Sequence, residues 1–190
     1  MVKQKDHDLA IFNVLQSIIA GSPASRLDAK LREEKGWTYG VTSGINPLLG
    51  KGLMIVGTSV QIPFGVDALN EILHEFERLR KEPVTDAELT TAKNGLLRSF
   101  AARYSTIGKV ASTMVEQFVY SLPANYDETI YDRIAKVSAN DILAVSNRAL
   151  KKENLVAVAV GDLEAMEAAI GKSDMGKVVI EREAKPTEKQ

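Results

Sequence analysis

The chain has 190 residues, 45% of them hydrophobic and 26% charged, enough for one compact core that folds without staples. Twenty-four Lys and Arg against 25 Asp and Glu leave a formal net charge of -1, so no overall field draws it to nucleic acid or to an anionic membrane. With no Cys, disulfides, thiolate metal sites and a cysteine nucleophile are excluded, and the redox compartment is left open.

The stretch Met1 to Asp8 is polar and carries no signal-peptide core, and no apolar run approaches the roughly 20 residues of a membrane span. Leu9, Ile11, Phe12, Leu15, Ile18 and Ile19 recur at helical spacing, and Gly21-Ser22-Pro23 stops that helix. Ser25 is placed to cap a short second helix carrying Leu27 and Leu31, with Gly36 where a left-handed C-terminal cap belongs. Residues 37–45 and 52–60 read as two strands of a hairpin joined through Asn46-Pro47 and Gly50. A helix over 65–81 follows, with Val66, Leu69, Ile72, Leu73, Phe76 and Leu79 on one face and Pro83 beyond its end.

Thr85-Asp-Ala-Glu88 is a capping box that opens a longer helix, which bends or restarts around Thr106-Ile107-Gly108 and runs on toward Pro123. Two more helices are predicted over 126–136 and 138–150, the second opened by Ser138-Ala-Asn-Asp141. The run Leu155 to Val160 is wholly apolar and reads as a central strand covered on both faces. A short helix near 163–170 and an edge strand at Val178-Val179-Ile180 close the pattern. The order predicts an α+β fold, a mostly antiparallel sheet packed against several helices, as one domain over 1–181 with 182–190 a frayed tail.

A catalytic zinc needs about three protein ligands, commonly two His one helical turn apart plus a carboxylate. Here there are two His, His7 and His74, and neither begins H-E-x-x-H or H-x-x-E-H, so no metal site is expected in this chain. Glu71 and His74 have the Glu-x-x-His spacing of carboxylate-bridged di-iron bundles, but in one copy only. Glu71, His74, Glu75 and Arg78 are therefore expected to form a solvated helix face. No G-x-S-x-G elbow and no glycine-rich phosphate loop occurs.

The stretch Gly21 to Tyr39 carries the candidate chemistry. If Arg32 sits in the last turns of the second helix and Tyr39 on the strand beyond the Gly36 reversal, a guanidinium and a phenol converge on one side of the junction. Such donors hold a peptide carbonyl, or the oxyanion formed when water attacks it. The plain alternative pairs Arg32 with Asp28 at i−4 and makes Tyr39 an ordinary strand aromatic.

The whole string resembles the second, inactive-type domain of the pitrilysin/insulinase zinc peptidases and of mitochondrial processing peptidase. The matching residues are the small-residue loop at Gly21, Ser25-Arg26-Leu27, Arg32-Glu33, Gly36 and Tyr39. Glu82-Pro-Val-Thr-Asp-Ala-Glu-Leu-Thr-Thr-Ala-Lys-Asn94, Val137 to Asp141 and Asn154 to Gly161 continue the likeness, which spans residues 8–161. The resemblance implies a fold like that of LuxS and mitochondrial processing peptidase, entered after its usual first strand. It implies a non-catalytic half of a zinc metalloendopeptidase that holds no cofactor itself, with zinc in a partner domain or subunit bearing H-x-x-E-H. By the same resemblance Arg32 and Tyr39 grip the backbone of an unfolded peptide, with Gly21, Ser22 and Ser25 in the substrate-binding loop. The loop departs from the family's run of glycines by reading Ala20-Gly-Ser-Pro-Ala24. A non-proteolytic structural subunit, like the core proteins of respiratory complexes, is the alternative the same likeness allows.

Overall fold

The computed structural model describes residues 8–46, 52–170 and 176–181. Helix α1 (Leu9–Ile19) carries no charged residue, and Leu9, Ala10, Phe12, Val14, Leu15, Ile18 and Ile19 are all buried. So many buried positions exceed one amphipathic stripe, and the helix is central: it packs against the first strand on one side and against three later helices. The segment Asp28–Glu34 follows as a π-helix rather than the expected α-helix. Gly36, at φ 64°, takes the left-handed position that its lack of a side chain permits, and the Trp37 N–H closes the reversal on the Leu31 carbonyl at 2.9 Å. Trp37 stacks on Phe64 with ring centroids 5.1 Å apart, which fixes the entry into the strand.

Strands β1 (Thr38–Asn46) and β2 (Leu53–Val60) form an antiparallel pair, with Val41 opposite Thr58 and Asn46 opposite Leu53. Their expected connection falls on residues 47–51, outside the described ones. Val41 is buried, and Ile45, Met54, Val56 and Val60 pack against the core, so one sheet face lies on the helices as the alternation predicts. The remaining helices are α2 (Gly65–Lys81), α3 (Asp86–Arg103), α4 (Ile107–Val119), α5 (Tyr126–Lys136), α6 (Ala139–Ala149) and α7 (Leu163–Ile170).

The sequence signals for helix starts hold for α3, α4 and α6, whereas Ser25 makes no side-chain cap: its hydroxyl turns to the Ser22 carbonyl and Asp28 instead. Thr85 and Glu88 exchange bonds across the first turn of α3, the Thr85 N–H reaching Glu88 Oε2 at 2.8 Å and the Glu88 N–H reaching Thr85 Oγ1 at 3.2 Å. Ser138 and Asp141 do the same for α6. The expected restart is real, since Thr106 accepts from the Lys109 N–H at 3.3 Å and opens α4. Arg103 in α3 donates to Glu116 in α4 at 2.7 Å and lies 3.7 Å from Asp127 in α5, to which the Tyr104 hydroxyl also donates, so one polar cluster ties three helices.

Three expectations are corrected. Residues 155–160 are in no strand, and Val156, Val158 and Val160 are exposed. A central strand needs a neighbour on each side, and among the described residues no strand pairs with this segment. Val178-Val179-Ile180 likewise forms no edge strand and is exposed. Glu75 does not belong to a solvated face: it is buried against Arg26 and Arg78. The tail 182–190 and His7 lie outside the described residues.

Candidate functional site

The corner between the π-helix and β1 is built around one carboxylate. Asp28 is 4% exposed. It accepts from the Gly21 N–H at 3.3 Å and the Ser25 hydroxyl at 2.7 Å through Oδ2, and from the Val41 N–H at 3.1 Å through Oδ1. A buried charge away from water must be paired or fully hydrogen-bonded, and here three donors from loop and strand supply the bonds. Gly21, at φ 101°, turns the chain sharply enough to present its N–H to that carboxylate. Gln16 Nε2 donates to the Ser43 carbonyl at 3.1 Å, and Ser43 Oγ to the Ala20 carbonyl at 2.9 Å. The Val41 N–H and Ser43 C=O share the edge of β1 turned away from β2, so side chains from α1 and the π-helix close that edge.

Tyr39 owes its direction to an irregularity in β1. Thr38 faces Val60 and Val41 faces Thr58, so two residues, Tyr39 and Gly40, stand opposite the single residue Ser59. Such a bulge resets the alternation of a strand. Without it Tyr39 would share the face of Val41, two positions on; with it Tyr39 is 99% exposed while Val41 is 4% exposed. The backbone groups left unpaired are satisfied by hydroxyls. Thr38 Oγ1 accepts from the Gly40 N–H at 3.2 Å and donates to the Ser59 carbonyl at 2.8 Å, and Thr58 Oγ1 donates to the Gly40 carbonyl at 2.9 Å.

Arg32 also reaches solvent, with its side chain 46% exposed and Nε 3.4 Å from Glu33. Its alternative partner Asp28 is turned inward to Gly21, Ser25 and Val41. Neither Arg32 nor Tyr39 is held in an interior contact, and Gly36 lies between them in the chain. In the loop Gly21 and Ser22 lie toward the surface, while Ser25 is buried and its hydroxyl also meets the Ser22 carbonyl at 2.7 Å. Ser25 thus supports the loop from behind. A groove of about 420 Å³ runs between this loop and α3, with Ser22, Pro23, Ala24, Asn94 and Arg98 in its walls.

Beneath the loop lies a network that sequence reasoning missed. The Arg26 guanidinium meets Glu88 in two parallel bonds, Nε to Oε1 at 2.6 Å and Nη2 to Oε2 at 3.1 Å, and its Nη1 lies 3.8 Å from Glu75. Burial alone would push the Glu88 carboxyl up; the Arg26 bonds and those from the Thr85 N–H and hydroxyl outweigh it and hold the group at about 2. Ser25-Arg26-Leu27 and the Glu82 to Asn94 stretch are therefore joined in space across α3 and the loop. The signal was available, since a buried Arg beside a motif needs a carboxylate and Glu88 stands in the second motif.

No group of three or more His, Cys, Asp or Glu that could hold an ion occurs among the described residues, and His74 is exposed on α2.

Residues 1–96 match the family model described as the peptidase M16 inactive domain. A curated relative, the non-peptidase homolog YmxG of Helicobacter pylori, is 30% identical over 145 residues, 74% of this chain and 33% of that protein. The chain thus spans about a third of the curated relative it matches. Among solved structures, an inactive peptidase domain of a zinc protease-like protein from Bordetella parapertussis superposes with a TM-score of 0.71 at 22% identity, over 81% of this chain and 84% of that one. A peptidase M16 inactive domain from Pseudomonas fluorescens gives 0.69 at 23% identity, over 77% of this chain and 35% of that one. At these identities the structural likeness establishes the fold.

Proposed function

From the premise that the chain belongs to the peptidase M16 inactive-domain family, we propose that it is the non-catalytic, substrate-binding half of a zinc metalloendopeptidase. In this reading a partner domain or subunit carrying H-x-x-E-H holds the zinc and cleaves. Arg32 and Tyr39 donate hydrogen bonds to the backbone of an unfolded peptide lying across the corner of the π-helix and β1. Gly21 and Ser22 line its path, and Ser25 keeps the loop in place. The observation that carries the reading is Tyr39: an aromatic residue brought fully into solvent by a bulge that several hydroxyls stabilise. A phenol held clear of the core by the bulge is available to a ligand lying across the strand.

The chemistry asked of the two side chains is modest. A phenol O–H and a guanidinium N–H are donors at neutral pH, and they can strengthen their bonds as charge develops on a carbonyl oxygen. The test mixes this chain with an H-x-x-E-H partner and zinc and follows cleavage of an unstructured peptide. Tyr39→Phe is expected to lower kcat/KM on the order of 100-fold, the scale of losing one oxyanion donor. Unchanged turnover in that variant, or zinc-dependent cleavage by this chain alone, overturns the reading.

A second reading, a non-proteolytic structural subunit, is favoured by the non-peptidase name of the Helicobacter pylori relative. It predicts a stable complex with the partner that binds no unfolded peptide and leaves it uncut.

A further inference from the structure

We propose that Asp28 is a positioning residue that couples the Gly21–Ser25 loop to Tyr39, so that the two candidate peptide contacts are set as one unit; the relevance of this to peptides rests on the function proposed above, while the coupling itself does not.

The geometry gives one carboxylate two clients. Oδ2 holds the loop through Gly21 and Ser25, and Oδ1 holds the strand through Val41, the first residue after the bulge. A carboxylate only accepts, and all three of its partners point donors at it. Oδ1 also lies beside the bulge, where a Cβ added at Gly40 would meet it at 3.5 Å, in ordinary van der Waals contact. If the loop shifts, the carboxylate must turn or abandon Val41, and the Tyr39–Gly40 bulge loses its anchor on that side. Its other anchor is the pair of hydroxyls of Thr38 and Thr58. Tyr39 is therefore pinned from both sides, and only the Asp28 side leads to the loop.

Asp28→Asn tests this with little change of volume. One amide oxygen can keep the Val41 N–H, but the amide NH2 then faces the Gly21 N–H, donor against donor. Because the amide cannot serve both clients in one orientation, amide exchange at Gly21 in the 190-residue chain should accelerate by about tenfold or more, the scale of a lost buried hydrogen bond, and that at Val41 by less. The fluorine resonance of 3-fluorotyrosine at Tyr39 should move, while that of Tyr126, buried away from the corner, stays put. Thr38→Val supplies an independent arm if the Asn variant fails to fold: it should move Tyr39 and leave Gly21 exchange unchanged. A Tyr39 signal indifferent to Asp28→Asn, or uniform acceleration of all amides, overturns the coupling.

In the assembly with the H-x-x-E-H partner, Asp28→Asn should lower kcat/KM about tenfold, and less than about threefold in a Tyr39→Phe background, because the two act through one path. Coupling in the resonance experiment with unaltered peptide cleavage would uphold the role of Asp28 and overturn that of Tyr39 as a peptide contact.

Discussion

Two regions of the molecule treat their side chains in opposite ways. Around the corner of the π-helix and β1, polar groups are buried or half-buried and matched: Asp28 with three donors, Arg26 with Glu88, Thr38 with Gly40. On α4 and along residues 155–160, apolar groups are left in water, with Ile107, Met114, Phe118, Val156, Val158 and Val160 all exposed. The first region is nearly complete in itself: Asp28, Arg26 and Glu88 are hydrogen-bonded within the chain, and Arg26 Nη1 and Glu75 Oε2, 3.8 Å apart, meet as an ion pair without a hydrogen bond. The second obeys the hydrophobic pattern of its sequence without meeting the surface such a pattern is made for.

The sharpest break between the regions should come from the core beneath the corner. Leu15 in α1 is fully buried, and Leu15→Ala should cost about 2 to 5 kcal/mol in urea denaturation. Removing the charge from the loop comes next. Arg26→Met leaves Glu88 without its guanidinium, while Glu75 keeps Arg78 at 2.7 Å, so the loss should be about 3 kcal/mol, the lower end for breaking a buried pair. The same pair sets a pH dependence. The Glu88 carboxyl sits at about 2 in the fold against an ordinary value of 4.5. Its contribution is full above the ordinary value and is lost as pH falls from there toward 2. Denaturation midpoints measured across that window should decline in the natural chain and flatten in Arg26→Met. The smallest effect belongs to the open region: Phe118→Ser should stay within about 0.5 kcal/mol, as for surface positions. A larger loss would mean that α4 is covered in solution and that the contrast drawn above fails.

Most helices were legible because local signals agree with packing. The Thr85 and Ser138 boxes, the Thr106 restart and the Gly36 reversal each rest on a bond within a few residues, and each is found. The run 155–160 was misread because an apolar hexapeptide states only that it tolerates burial; whether strands flank it depends on chain elsewhere. Arg32 and Tyr39 could be named from their pattern, but the reason Tyr39 points outward could not. A bulge is a mismatch of count between two strands, and a single strand's alternation, read by itself, puts Tyr39 on the side of Val41. Asp28 was read only as a partner for Arg32, since i−4 spacing is visible in sequence and a bond to a strand 13 residues on is not. Glu75 was misplaced for the same reason, its Arg26 lying nearly 50 positions away.

The bare hexapeptide also governs how the chain behaves in a tube. Leu155 to Val160 is uncharged, free of proline and rich in valine, the composition that stacks into cross-β fibrils when several molecules meet. Crowding therefore raises the chance that these segments pair between molecules, and turbidity that rises with concentration would register it.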